Sequence, residues 1–307
     1  MDAGSEAVPL TPADLSPYGY VPTLWICALF IALFGLSTSI HLFQAIYYRL
    51  WFLLPTVVLA GVTEIIGWSG RIWSSKNPPS LDPFLMQITT TIIAPTPLIA
   101  ANFITLGQVI SRLGSDYSRL NAMWYTIVFV TCDIVALVVQ AVGGAQASIA
   151  VQDNRDPNPG GNVMLGGIAF QLGSITIYML LAGEFILRYL YNRPIRNRSA
   201  GRSNTPPLEQ KTALMLIGLF FSSLTIFIRS VYRTIELTDG WSGRIIGTER
   251  YFNWLDGSMI TLAFYTINFL HPGRLIGPGP WASPRSHANT DTKEVVDEDI
   301  ELAVVKA

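Results

Sequence analysis

A chain of 307 residues that is 50% hydrophobic and 13% charged, with a mean hydropathy of +0.39, is too poor in charge for an ordinary soluble domain, where about a quarter of the residues carry one. A formal net charge of −1 leaves no basic excess of the kind a nucleic-acid surface needs. The two cysteines, Cys27 and Cys132, lie inside apolar runs and supply no disulfide framework.

These properties predict an all-α, polytopic membrane protein. Residues 1–21 form an acidic, proline-containing tail without lysine or arginine. It lacks the basic start of a signal peptide, and the apolar run that follows is too long for a cleavable core, so that run is expected to stay in the membrane. Seven runs, at about 22–45, 52–70, 84–110, 122–145, 164–190, 212–236 and 250–270, approach or exceed the roughly 20 residues that a spanning helix requires. The second is the weakest, being interrupted by Glu64 and Arg71. The third carries Pro95 and Pro97, which should kink it. The carbonyls freed there need partners, so the kink should face protein or a cavity. Between the fourth and fifth runs, the stretch 146–163 reads as a loop rich in turn residues. Residues 276–307, rich in Pro, Ser and acidic groups, read as a disordered tail.

Lysine and arginine counts orient the chain. The loops after the odd-numbered spans, with the C-terminal tail, hold 13 of the 20 basic residues. The loops after the even-numbered spans hold five, and Arg229 and Arg233 lie within the sixth span. The N-terminus is therefore expected outside and the C-terminus in the cytosol. The sequon Asn197-Arg198-Ser199 then falls on a cytosolic loop and should be unused.

Charges recur within the spans at helical spacing. Glu64 and Arg71, Asp133 and Gln140, Arg229 and Glu236, and Glu249 and Asp256 are each seven residues apart, which puts each pair on one helix face. Tyr232 and Arg233 fall on the same face as Arg229 and Glu236. A charge at the bilayer centre costs about 2.5–3.5 kcal/mol on insertion scales, so all four polar stripes are expected to turn inward. Such an interior is either an ion-pair network that fixes helix order or a polar cavity for an amphipathic head group. The cavity is the leading reading, because buried ion pairs stabilise poorly compared with apolar packing. Gly143-Gly144 and Gly166-Gly167 read as close-packing positions. For Gln171, bridging helices and touching a ligand both stay open.

Several chemistries lack their residues. Three histidines, His41, His271 and His287, cannot readily build a three-histidine zinc site. No lysine lies in an expected span for a Schiff base, and no phosphate-binding loop of the Walker type occurs. No nucleophile–base pair stands out. An enzyme is not expected, nor is a metal or other cofactor, although His41 and His271 leave a bis-histidine haem site as a further reading.

The combination Glu64-x-x-Gly67-Trp68-x-x-Arg71, Ala94-Pro95, Asp133 with Gln140 and Gly143-Gly144, Gly166-Gly167 with Gln171, Arg229-x-x-Tyr232-Arg233-x-x-Glu236, Glu249 with Asp256, and His271-Pro272 resembles the fungal RTA-like family, the lipid-translocating exporters. The resemblance runs from about residue 20 to 275. It implies a seven-helix protein of the plasma membrane or an internal membrane, linked to export of sphingoid long-chain bases and resistance to toxic amphiphiles. Its partners would be membrane lipids and amphipathic small molecules. On this reading Glu64, Asp133 and Asp256 attract an ammonium head group, while Arg71, Arg229 and Arg233 hold the carboxylates ionised or contact phosphate. Tyr232, Glu236, Glu249, Gln140 and Gln171 complete the candidate site. A sensor of lipid asymmetry or stress, signalling through the basic fifth loop and acidic tail, and a haem or porphyrin exporter are the alternatives.

Overall fold

Apolar runs of this length become helices because no other single segment satisfies its own backbone in lipid. The computed structural model describes residues 11–153, 155–195, 208–240 and 243–277. Six helical segments in it are long and apolar enough to cross a bilayer: α1 (Leu24–Tyr47), α2 (Trp51–Lys76), α3 (Leu81–Leu113), α4 (Ala122–Gln152), α5 (Asn158–Leu190) and α6 (Gln210–Thr238). A further stretch, α7 (249–269), runs from an α-helical turn, Glu249–Phe252, through a π-helical turn, Asn253–Gly257, into an α-helix, Ser258–Phe269. A short helix, α8 (Pro272–Leu275), follows. No strand occurs among the described residues. The chain is an integral, multi-pass helical membrane protein. The basic positions Arg196, Arg198 and Arg202, the sequon at Asn197, His287 and the tail 278–307 lie outside the described residues.

Each helix packs on the next in sequence, and α7 returns to α1, so the bundle closes into a ring with α3 and α6 the most buried. Large aromatic residues stand exposed at helix ends on both faces. Trp25, Trp73 and Trp254 mark the face that carries the N-terminal segment; Tyr47, Trp51, Trp124 and Tyr191 mark the opposite one. Two such belts are the signature of a protein anchored at both bilayer interfaces.

The α4–α5 seam is the tightest. A Cβ on Gly143 would meet the backbone of Met164, one on Gly160 the backbone of Ala147, and one on Gly167 the backbone of Ala136 and Gln140. One glycine of each expected pair therefore sets the helix approach, while Gly166 faces open space. Gly160 carries the contact beyond the expected span ends. As a result the expected loop at 146–163 is mostly helical, and only 153–157 connects α4 to α5. Pro157 and Pro159 suit that position, since a proline at a helix start forfeits no intrahelical bond.

In α3, Ala94 separates two helical segments, Leu81–Ile93 and Pro95–Leu113. Pro95 has no N–H to give to the Thr91 carbonyl four residues back. Arg229 Nη2 donates to that carbonyl instead. The kink faces protein, as the orphaned acceptor requires.

Candidate functional site

The kink recruits the first of three arginines, which stack in tiers along the inner walls of α2 and α6. In the deepest tier, Arg229 pairs with Asp256 of α7 as well as with the Thr91 carbonyl. One turn nearer the N-terminal segment, Arg233 donates to Asp256 Oδ2 at 2.5 Å, to Glu236 Oε2 at 2.7 Å and to Thr91 Oγ1 at 2.9 Å. Tyr232 donates to the other Glu236 oxygen at 2.7 Å. In the outermost tier, Arg71 lies 3.5 Å from Glu249 and donates to the Tyr20 hydroxyl at 3.0 Å. Glu249 in turn accepts from the Thr23 N–H and hydroxyl, both at 2.7 Å, and so caps the start of α1.

Aromatic rings line the arginines. The Phe252 ring lies 4.3 Å from the Arg71 guanidinium and 5.0 Å from that of Arg233, a wedge between two cations. Tyr18, Tyr20 and Trp68 surround Arg71 at 5.2–5.7 Å. Tyr18 also donates to Gln87, which donates to Thr91, the residue that serves both Arg229 and Arg233. Burial pushes the Tyr18 phenol up to about 12 although Arg71 pulls it down, so it stays a donor at neutral pH. The N-terminal segment is thereby fastened over the cluster. A small cleft beneath it, about 230 Å³, touches Tyr18, Arg71, Gln87, Arg233, Glu236 and Phe252.

Arg71, Arg229, Arg233, Glu64, Glu236 and Asp256 are at most 4% exposed. Three guanidinium groups face four carboxylates, and three of those carboxylates are paired. The fourth is Glu64. It lies within electrostatic reach of Arg229, Arg233 and Asp256 but makes no ion pair among the described residues. The indole N–H of Trp68 approaches it without reaching hydrogen-bond geometry. Trp68 is held by Phe30, at 4.1 Å between ring centroids, and rests where any side chain on Gly257 would collide with it.

Three of the four expected stripes thus converge: Glu64 with Arg71, Arg229 with its three companions, and Glu249 with Asp256. The fourth does not join them. Helix α4 packs between α3 and α5, away from α7, so Asp133 and Gln140 turn to a different seam. There Gln140 donates to Gln171 at 3.0 Å and Gln171 donates to Thr96 at 3.1 Å. Gln171 bridges helices. Asp133, 2% exposed, makes no hydrogen bond or ion pair among the described residues. His41 and His271 each meet backbone through one ring nitrogen, while His41 Nδ1 and His271 Nε2 are buried without a partner among the described residues. His41 contacts the Phe264 carbonyl at 3.2 Å, and His271 accepts from the Gly273 N–H at 3.2 Å to cap α8.

A family model described as RTA1 like protein matches residues 57–278. The chain belongs to the RTA1-like family. Among its relatives, the sphingoid long-chain base transporter RSB1 of Saccharomyces cerevisiae is 32% identical over 83% of this chain and 73% of its own. Protein RTA1 of Saccharomyces cerevisiae is 25% identical over 78% of this chain and 80% of its own. Protein RTM1 of the same yeast is 25% identical over 66% and 62%. No solved structure matches the chain. The RTA1-like match spans all three tiers except Tyr18, Tyr20 and Thr23. Those three residues, with Gln87, Thr91 and Phe252, are the members that residue spacing alone did not single out. Gln87 and Thr91, four apart in an apolar run, carried a usable signal; the tyrosines, outside any span, carried none.

Proposed function

We propose that this protein translocates amphipathic lipids with a cationic head group, sphingoid long-chain bases or related toxic amphiphiles, and that Glu64 receives the ammonium. The observation that carries the site assignment is that Glu64 is the one member of the tiered cluster whose carboxylate no arginine neutralises. An isolated carboxylate in a dry interior is costly, and an ammonium with three N–H donors is a ligand that removes the cost. The name of the relative RSB1 supports the same substrate class. Arg71, Arg229 and Arg233 act as positioning residues: they hold Glu236, Glu249 and Asp256 in place and leave Glu64 as the acceptor.

On this reading α7 is a seventh span, although Glu249, Arg250, Asn253, Asp256 and Asn268 make it less apolar than the other six. The N-terminal segment lies outside and α8 on the cytosolic side, as the basic-residue count suggests. The tiers then sit in the outer half of the bilayer, with Tyr18 and Tyr20 closing their outer end.

The test is movement of a fluorescent sphingoid base across vesicles that contain the purified protein. Transport above protein-free vesicles is expected for the wild type. Glu64→Gln should fall to the protein-free rate with its thermal unfolding midpoint retained, because no ion pair is lost. Wild-type rates equal to the protein-free rate across several cationic amphiphiles would sink the function. Normal transport by Glu64→Gln would remove the site.

A further inference from the structure

Asp133 is the second buried carboxylate without a partner, and it lies far from any cation. Neither α3 nor α5, the helices packed on α4, has a basic residue except in its last turn, at Arg112 and Arg188. Asp133 is the twelfth residue of the 31-residue α4, about 17 Å from its start, and therefore deep in the apolar layer. The seam contacts fix what faces it. Gly160 meets Ala147, Gly167 meets Gln140, and Tyr178 meets Phe129. Along this antiparallel pair, each residue gained on α5 is one lost on α4, so Ser174 falls level with Asp133.

The unmatched groups on this seam share one chemical sense. Asp133 Oδ2, the Ser174 hydroxyl and Gln140 Oε1 are all buried and all without a hydrogen-bond partner. Each can accept. In the arginine tiers, by contrast, Arg71 Nε, Arg233 Nε and Trp68 Nε1 are unmatched donors, and Asp256 Oδ1 faces Arg229 Nε in an ion pair. Gln140, two turns along α4 from Asp133, borders a shallow, open cleft between α3 and α4 that Asp133 and Ser174 do not themselves line and that is otherwise lined mostly by apolar side chains, among them Ile88, Ile92, Ile93 and Met164. Ala141, beside it, is exposed on the lipid-facing surface.

We propose that Asp133, with Ser174 at its level, is a second site for a primary ammonium head group, reached sideways from the bilayer while the alkyl chain lies in the cleft beside Gln140. This assignment rests on the transport reading above but concerns a different pair of helices. It gives the head group an acceptor-lined station of its own, separated from Glu64 by α3.

The test uses the full chain in phosphatidylcholine nanodiscs and sphingosine with a photoreactive diazirine in its alkyl chain, with labelled peptides mapped by mass spectrometry. Labelling is expected on the cleft peptides around Ile88–Ile93 and Ala141–Ser148. It should fall by about tenfold in Asp133→Asn, the scale of a lost charge-assisted hydrogen bond, and persist in Asp133→Glu. The N-acetylated analogue, which has the same chain and no charge, should not label the cleft. Equal cleft labelling by the neutral analogue, or unchanged labelling of Asp133→Asn, would overturn the proposal. If Asp133→Asn does not fold, the comparison of the two probes on wild-type protein decides alone. Vesicle transport without ammonium-dependent cleft labelling defeats the Asp133 site and spares the transport reading. Ammonium-dependent labelling without transport does the reverse.

Discussion

Arg233 touches Asp256, Glu236 and Thr91 and faces Phe252. Removing one partner of a buried pair leaves the other charge uncompensated and costs about 3–5 kcal/mol. Arg233→Ala should therefore unfold markedly earlier than wild type in detergent and lose transport, and Arg229→Ala should do the same. If both variants keep their unfolding midpoint, the tiers do not hold the fold together. A second residue-scale prediction concerns pH. Burial pushes the His271 imidazole down from 6.5 to about 4. The unfolded chain then binds a proton that the folded one refuses, so stability present at neutral pH is lost as pH falls from about 6.5 towards 4. Asparagine at this position can still accept from the Gly273 N–H. His271→Asn should unfold with a flatter dependence on pH across that window; an unchanged slope would contradict the assignment.

Among the elements, the α4–α5 seam and the α3 kink make sharp predictions. Gly160→Ala places a methyl group against Ala147 backbone and should cost about 1–3 kcal/mol, the range of overpacked cores. Gly166→Ala meets nothing within 4 Å and should be neutral or slightly stabilising, as helix propensity favours alanine by up to about 1 kcal/mol. Thermal unfolding of the two variants side by side checks both. Pro95→Ala restores an N–H that competes with Arg229 for the Thr91 carbonyl; transport should drop more than stability. These elements also show what the sequence made legible. Helical spacing alone found the stripes on α2, α6 and α7, because each charge must leave lipid and period 3.6 fixes which charges leave together. It could not place the α4 stripe beside the right neighbours, since lateral helix order is not encoded in any one helix. The π-turn was equally invisible: Asn253, Asp256 and Gly257 interrupt the apolar run but do not specify a wide turn, and the Trp68 ring packed on Gly257 comes from another helix. The kink was readable, but its partner, 138 residues away, was not.

At the scale of the whole molecule, the ring of helices, the two aromatic belts and the N-terminal segment over the tiers define one axis. Substituted cysteines in a Cys27→Ser/Cys132→Ser background give its direction. Ala13→Cys should react with an impermeant maleimide from outside intact cells, and Asn192→Cys only after permeabilisation. The opposite pattern would invert the topology proposed here. A π-turn opens α2 at Leu54–Val58 and another interrupts α7 at Asn253–Gly257, beside the tiers. A π-turn is an α-helix with one residue too many, the helical equivalent of a dislocation in a crystal. Deleting Leu255 would heal the defect and turn everything before it by about 100°, the angle one residue subtends in an α-helix. Glu249 would swing off the start of α1, and the Phe252 ring would leave the gap between Arg71 and Arg233. A lattice fault of a single residue thus sets the phase of Glu249 and Phe252 against the arginines.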